Sequence, residues 1–308
     1  MIDVVCLGIL VADVIARPVN ALPPRGELAV VEEISLRGGG CAHSTASGLA
    51  RLGARAAVAG KVGVDPLGSH LVGLLDERGV DRRGVLRDAT WPTSTTVVVV
   101  STDGERTFLH LPGANAHLRT EELDRDLLFA GRVLHVGGAL VMPELDGEPT
   151  AALLAEARQR GILTSLDTAF DASGRWERLL PCLPHLDLVT PSLTEARAVS
   201  GERDPVAVAA WFLTRGVTEV ALTMGEAGCF VASENVAEQI TAIPVRAVDG
   251  TGSGDAFAAG LLYGRLAGWP LVQAARFANA VGALSTTAVG AVEGLLDVEG
   301  TRAFVGLE

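Results

Sequence analysis

The sequence predicts an α/β fold in which helices cover both faces of a mostly parallel central sheet, with a small second sheet outside it. Two observations carry this. From residue 120 onward, short apolar β-rich runs alternate with segments of helical length, the pattern of right-handed βαβ units. Earlier, two β-branched runs within 93–111 flank Thr-Asp-Gly-Glu, a hairpin signal foreign to a parallel unit.

The elements follow in order. VVCLGIL (4–10) is a short buried strand. A Pro-rich turn, RPVNALPPRG, leads to a strand in LAVVEEISL (28–36). GGGCAHSTASGLARLG (38–53) opens as a glycine loop and continues as a helix to Gly53. AAVAGKVG (56–63) is a second buried strand. Asp65 caps the next helix, with Pro66 at its first position and Gly79 beyond its end. The hairpin of 93–111, joined by residues 27–36, forms the small sheet. A helix near 120–130 then leads to the strand VLHVGG, and one near 148–160 to ILTSLD. LDLVT (186–190) follows, and a helix from Asp204 to Gly216 leads to EVALT. ITAIPVRAV (240–248) reads as a strand and AFAAGLLYGRLA (256–267) as a helix. Ala256, Gly260 and Gly264 give that helix a thin face, for which Ala275, Asn279 and Gly282 are candidate partners.

The bulk numbers narrow the function. With 48% hydrophobic and 20% charged residues in 308, the chain has the apolar surface for a sizeable core, read as one domain over 1–308. A net charge of −12 with no basic stripe argues against nucleic acid as partner. The four cysteines are scattered without metal-type spacing, as expected of reduced thiols in the cytoplasm. The N-terminal apolar run lacks a basic leader and a small-residue cleavage site, so it reads as a strand. No segment is apolar enough for a membrane span.

AVDGTGSGDAFAAGL (247–261) is the stretch with chemical content. Starting from Gly250, a Gly-x-Gly-x-x-Gly fingerprint fails at Asp255, and no Walker A loop exists. The glycines fall where a helix begins, so backbone N–H groups and the helix dipole can cradle a phosphate. A carboxylate there binds phosphate poorly, but it suits a base that takes a proton from an attacking hydroxyl. The plain alternative for Asp255 is an N-cap aspartate after a Gly-rich turn. By position, Asp13, Asp167, Ser192 and Asp255 all follow strand-like runs and are candidates to gather at one rim of the sheet.

DGTGSGD (249–255) resembles the Asp-Thr-x-Gly-Ala-Gly-Asp signature of the ribokinase-like (PfkB) carbohydrate kinase family. RGGGCAHSTASGLARLG with GKVGVDPLG resembles the family's N-terminal signature. DGERTFLHLPGAN resembles its lid hairpin and the Gly-Ala-Asn after it, and TMGEAG (223–228) its nucleotide loop. The motifs occur in family order across nearly the whole chain.

The resemblance implies a ribokinase-like three-layer αβα sandwich with a β-sheet lid from about 14–36 and 91–112. It implies an ATP- and Mg²⁺-dependent kinase acting on a hydroxyl of a small sugar or polyol. A nucleoside kinase of the same fold and a sugar- or nucleotide-binding protein without turnover are the alternatives. By similarity Asp255 is the base, and the N–H groups of Gly252, Ser253 and Gly254 form the anion hole. Asp249 and Thr251 match a site for a monovalent cation such as K⁺. Thr223, Gly225 and Gly228 match the nucleotide loop, and Asn279 a position near adenine; a helix–helix hydrogen bond is the alternative for Asn279. PSLTEA (191–196) matches a motif that organises Mg²⁺ through water, with Glu195 retained but Ser192 in place of Asn. Ser-x-x-Glu is equally a helix capping box.

On the acceptor side, Asp13 matches an aspartate that takes two sugar hydroxyls, which a carboxylate can accept together. Gly39 and Gly40 match the pair that lets the backbone reach the sugar. Val11 and Ser44 stand where family sugar kinases often have Asn, which weakens the case for ribose. Cys41, His43 and Asp167 are further candidates for this pocket, and Arg37, Lys61 and Arg106 for a phosphate on the acceptor. The resemblance further implies a homodimer through the lid strands, whose edges would otherwise be unpaired.

Overall fold

The computed structural model describes residues 1–102, 105–170 and 173–306, so the predicted turn at 102–105 lies partly outside the described residues. In chain order the first strands and helices are β1 (Val4–Gly8), β2 (Val11–Arg17), β3 (Glu33–Gly39), α1 (Cys41–Arg51), β4 (Ala56–Gly63), α2 (Pro66–Glu77) and β5 (Asp81–Asp88). The middle adds β6 (Thr95–Val100), β7 (Arg106–Leu111), α3 (Arg125–Leu128), β8 (Val133–Ala139), α4 (Glu148–Gln159), β9 (Leu163–Thr168) and β10 (Leu188–Val189). The last third holds α5 (Leu193–Ser200), α6 (Pro205–Leu213), β11 (Glu219–Thr223), β12 (Cys229–Ser233), β13 (Val236–Ile240), α7 (Ser253–Leu266), α8 (Leu271–Ser285) and α9 (Val298–Val305).

The main sheet has nine strands in the order β13-β12-β11-β10-β9-β8-β1-β4-β5. Its pairs are parallel from β11 through β5, and β12 and β13 add an antiparallel edge. The alternation of β1 shows how both faces are covered. Val5 and Leu7 belong to the same core cluster as Leu153 and Leu154 of α4 and Phe212 of α6. Val4 and Cys6 pack with Ala42 and Ala46 of α1, Leu71 of α2 and Leu261 of α7. A strand buried on both sides favours apolar residues on both faces, which is why β1 is apolar throughout and β4 is apolar apart from the paired Lys61.

The second sheet has four strands in the order β3-β2-β6-β7. Its central pair, β2 and β6, is parallel, and the outer pairs are antiparallel. It differs from the predicted bounds. The strand expected over 4–10 ends at Gly8, where φ is 151°. The Asn115 side chain then clamps Leu10, accepting from its N–H at 3.2 Å and donating to its carbonyl at 2.9 Å. That clamp turns the chain out of the main sheet, and β2 begins at Val11. The strand expected over 28–36 starts at Glu33 and runs on to Gly39, so Gly38 and Gly39 belong to a strand and Gly40 alone precedes α1.

Two further expectations are corrected. Residues 241–249 form no strand, because β13 already ends the sheet at Ile240 and Pro244 cannot donate to a ladder. The helix expected near 120–130 is only α3 with a short 3-10 turn at Thr120–Glu122. The thin face of α7 does meet α8, and Gly282 lies against Ser253 and Phe257 of α7 as expected, but the other two partners differ. A Cβ on Gly260 would stand 2.8 Å from Ala278 Cα, and one on Gly264 would stand 2.7 Å from Ala274 Cβ. Ala274 and Ala278, rather than Ala275 and Asn279, are the small partners. Among the described residues no helix is long and apolar enough to cross a membrane.

Candidate active site

The loop before α7 explains its glycines. Gly252 sits at φ 72°, in the left-handed region, and a Cβ on it would stand 2.4 Å from Ala291 Cβ. Conformation and space both require glycine there. A Cβ on Gly254 would meet nothing within 4 Å, so the turn opens on free space. No side chain caps α7. Among the described residues the N–H groups of Gly252 and Gly254 have no partner, while that of Ser253 has a long bond, 3.3 Å, to the Gly250 carbonyl. Free donors at the positive end of a 14-residue helix are the arrangement that favours an anion.

Asp255 is the third residue of α7, inside the helix rather than at its cap, so the N-cap reading does not hold. Its carboxyl faces Cys41, at the start of α1, and Asp167, at the end of β9. The Cys41 sulfur and one carboxylate oxygen of each aspartate lie within 4.8 Å of one another. Burial pushes Asp255 up to about 6; the adjacent Cys41 thiol opposes this, the Glu195 charge reinforces it, and Ser44 opposes it. The Ser44 hydroxyl lies close by without a well-formed hydrogen bond of its own. Asp167 is raised well above the carboxylate range by burial and then by the charges of Asp255 and Glu195. Both carboxyls are thus shifted upward by burial and by one another's neighbourhood, the kind of perturbation that clusters at acid–base sites.

Asp13 stands inside β2, not at the end of β1, because the chain has already entered the second sheet. It is 8% exposed, and its register partners are Arg37 on β3 and Thr96 on β6. Burial pushes it up to about 7, the Thr96 hydroxyl opposes this, and the charges of Asp255 and Asp249 add to it. Gly39 lies against it: a Cβ there would stand 2.1 Å from Asp13 Oδ2. Gly40, at φ 87°, lies against the Ile9 carbonyl and the Val11 N–H. His43 is fully buried, and burial takes it down to about 3, so it serves the core. Lys61 is also buried, pairing with Asp88 at 3.2 Å and Glu122 at 2.5 Å.

Ser192 and Glu195 form the capping box in full. The Ser192 N–H and hydroxyl donate to Glu195 Oε2 at 2.9 and 2.7 Å, and the Glu195 N–H donates back at 3.2 Å. Thr168 donates to the same oxygen at 3.1 Å. Among the described residues Glu195 Oε1 has no hydrogen-bond partner. Asp249 is similarly engaged: Oδ1 accepts from the Thr251 N–H and hydroxyl, and Oδ2 from the Gly290 N–H. Those donors and Arg106 outweigh burial and lower its pKa.

A cavity of about 960 Å³ joins these groups; its lining includes Cys41, Asp167, Glu195, Arg106 and residues 250–255. A neighbouring cavity of about 530 Å³ meets it along Thr223, Gly225, Ser253 and Gly254, and continues past Gly228 to Asn279. Asn279 donates to the Thr241 carbonyl at 2.8 Å, so it braces the loop after β13 and does not bond another helix. The structure thus brings together Asp255, the glycine loop, Glu195 and the 223–228 loop. Asp13, Gly39, Gly40 and Ser44 line neither cavity, although Asp13 and Ser44 act electrostatically on or with Asp255. Arg106 enters the cavity, whereas Lys61 does not. Thr96 and Thr168 carry no motif signal; only strand register reveals the first, and only the fold reveals the second.

A family model described as pfkB family carbohydrate kinase matches residues 1–297. A fructokinase of Klebsiella pneumoniae is 35% identical over 271 residues, covering 83% of this chain and 88% of that protein. Two solved structures share the architecture. A putative Ribokinase II of E. coli in complex with ATP and Mg²⁺ has a TM-score of 0.87 at 23% identity, with both chains covered in full. A fructokinase of Xylella fastidiosa with bound ATP has a TM-score of 0.85 at 23% identity, over 99% of this chain and 98% of that one.

Proposed function

The chain belongs to the pfkB family of carbohydrate kinases, and from that premise we propose that it moves the γ-phosphoryl group of ATP to a hydroxyl of a small sugar or polyol, with Asp255 as general base. One observation carries the proposal: a carboxyl raised to about 6 sits in the first turn of a helix whose start, lined by the free N–H groups of Gly252 and Gly254, faces a cavity. Fructokinases among the relatives make fructose the first sugar to test.

The acceptor hydroxyl gives its proton to the Asp255 carboxylate. Its oxygen bonds to the γ-phosphorus as the bond from that phosphorus to the ADP oxygen breaks. Charge on the transferring group meets the N–H groups of Gly252, Ser253 and Gly254, which are in place before reaction and need no reorganisation. The long bond of the Ser253 N–H is easily exchanged for a phosphoryl oxygen. Asp13 accepts acceptor hydroxyls, and Gly39 leaves its carboxylate room. The smaller cavity, from Thr223 to Asn279, takes the nucleoside of ATP.

The hard oxygen donors around Glu195 and Asp255 fit Mg²⁺. Glu195 Oε1 would hold it through water, and when bound it supplies neutralising charge across the phosphates. The residues at Asp249 and Thr251 do not favour a monovalent cation. Three hydrogen bonds fill that carboxylate, and a guanidinium already lies beside it.

The four-stranded sheet serves as a lid that excludes water during transfer. It exposes Ile34, Phe108, Leu109 and Leu111, and its edge strands β3 and β7 are unpaired, so two copies pair through it. Light scattering that finds a monomer at working concentration would remove the dimer.

Release of ADP over a panel of sugars, sugar phosphates and nucleosides tests the reaction. Asp255→Asn should lower kcat by about 10²–10⁴-fold with the best acceptor. Unchanged turnover in that variant would sink the assignment of the base.

A further inference from the structure

A cavity of about 620 Å³ opens where β8 and β9 begin, at the edge of the main sheet opposite the glycine loop. β9 spans the distance between the two sites: Leu163, its first residue, lines this cavity, and Asp167 and Thr168, at its other end, line the large one. The charged lining is Arg132, Arg160 and Arg265, and among the described residues no carboxylate lines it. In a chain of net charge −12 this is a local reversal of sign. Phe129 and Ile162 give the cavity an apolar wall.

Part of this charge has an ordinary cause. α4 and α7 end here, and cations are favoured at helix C-termini. Arg265 donates to the Trp269 carbonyl and pairs with Glu219 at 2.9 Å, while Arg160 pairs with Glu156 at 2.5 Å. These bonds do not use up the N–H donors that a guanidinium carries. Arg265 Nε is buried and has no partner among the described residues. Arg160 lies over the Phe129 ring, 4.4 Å from its centre, which holds the plane of the fork. Arg132 has a single long bond, 3.3 Å from Nη2 to the Leu266 carbonyl, and no ion pair among the described residues. The Asp3 carboxylate feels its charge, but bonds Nε and Nη2 of Arg55 at 2.9 Å each. Arg132 and Arg160 thus bring unused donors to a cavity that offers them no anion.

We propose that this cavity binds a phosphate group, free or carried on a small metabolite, with Arg132 and Arg160 donating to its oxygens. Guanidinium forks match phosphate geometry and give charge-assisted hydrogen bonds in pairs. The volume is that of a small-molecule site and exceeds what free phosphate fills, which leaves Phe129 and Ile162 to cover a carbon body. The site lies outside the phosphotransfer cavity and stands whether or not that reading holds.

Titration calorimetry tests this with inorganic phosphate and with phenyl phosphate, a monoester that has no hydroxyl to be phosphorylated. A non-hydrolysable ATP analogue and Mg²⁺ are kept saturating, so that the glycine loop is occupied. Each probe should bind the wild type at a single site per chain, more weakly as NaCl is raised. Arg132→Gln and Arg160→Gln should each weaken binding by about 10-fold or more, the loss of charge-assisted hydrogen bonds. Arg132→Lys should recover only part of it, because an ammonium cannot reproduce the fork. Without phosphate, kcat in Arg132→Gln should equal that of wild type, since Arg132 lies at the far end of the sheet from Asp255. Equal affinity for the two probes would make the ligand free phosphate. Tighter binding of phenyl phosphate, lost in Phe129→Ala, would make it a phosphorylated metabolite. Melting curves report whether each variant folds; should one glutamine variant fail, the other decides, because the two arginines come from separate segments. The proposal falls if neither probe binds at millimolar concentration, or if both glutamine variants bind as wild type does. It also falls if phosphate binds only when the ATP analogue is left out, which would put the anion in the glycine loop.

Discussion

Gly39 and Asp13 lie so close that a Cβ on the first would stand 2.1 Å from Oδ2 of the second. The contact crosses from β3 to β2, and Asp13 is nine-tenths buried behind it. A short carboxylate side chain has little room to give. Gly39→Ala should therefore displace Asp13 and lower kcat/KM for the acceptor by about 10²-fold, the effect of misplacing a binding group by about 1 Å. Binding of ADP, measured by calorimetry, should be unchanged, because Gly39 lines neither of the two cavities beside the glycine loop. Equal losses on both sides would mean that the whole fold has shifted.

Activity should fall on the acid side for two reasons. Asp255 must be ionised to take a proton, and it sits at about 6. Asp13 must be ionised to accept two hydroxyl protons, and it sits at about 7. The two interact, so their titrations are coupled. kcat/KM should be level above pH 8, fall tenfold per unit below about 7, and steepen toward a hundredfold per unit below about 6. Asp13→Asn should remove the upper limb and leave a single ionisation. A profile flat from pH 5 to 8 would contradict both roles.

The same shifts bear on stability with a definite sign. An unfolded aspartate titrates near 3.9. Asp255 and Asp13 titrate higher in the folded protein, so between those values the folded state binds more protons than the unfolded one. Stability therefore falls as pH rises from about 4 to 7 through these groups, and stays lowered above. Asp255→Asn should be inactive but should melt higher than wild type at pH 8. A rise of roughly 2–4 °C would correspond to about 1 kcal/mol. At pH 4, where the native carboxyl is already neutral, the difference should vanish. A variant that melts lower at pH 8 would show that the carboxylate is held by contacts, not strained by burial.

Much of this was readable before any coordinates. The βαβ alternation gave the parallel sheet, Asp65–Pro66 gave the start of α2, and 249–255 gave the loop. What escaped the sequence has local causes. β2 is hidden because its buried positions make it look continuous with β1, and the break depends on Asn115, more than a hundred residues away. The run 240–248 has strand composition, but its place at the sheet edge is already taken by β13. At the site, Asp255 and the glycines announce themselves, since helix start and loop chemistry are local. Arg106 does not, because only the pairing of β6 with β7 and the seating of the second sheet carry it to Thr251. Asn279 bonds a loop carbonyl rather than a helix, a choice that periodicity cannot express.

Ser192 tests whether the capping box serves metal as well as helix. Its hydroxyl bonds Glu195 Oε2 at 2.7 Å and accepts from the Glu195 N–H at 3.2 Å, so it fixes both ends of that residue. Ser192→Ala removes both bonds and should cost about 1 kcal/mol of stability, as loss of an N-cap does. Glu195 would then keep only Thr168 and the Ser192 N–H to orient it. If Oε1 holds Mg²⁺ through water, the loosened carboxylate should raise the Mg²⁺ concentration for half-maximal rate by about 10-fold or more, the usual effect of losing an outer partner. Ser192→Asn, which can still cap the helix and donate to Glu195, should restore much of the Mg²⁺ response. Initial rates against free Mg²⁺ at fixed ATP decide the matter. A lower melting temperature with an unshifted Mg²⁺ curve would leave Ser192 as a helix cap and free Glu195 from the metal.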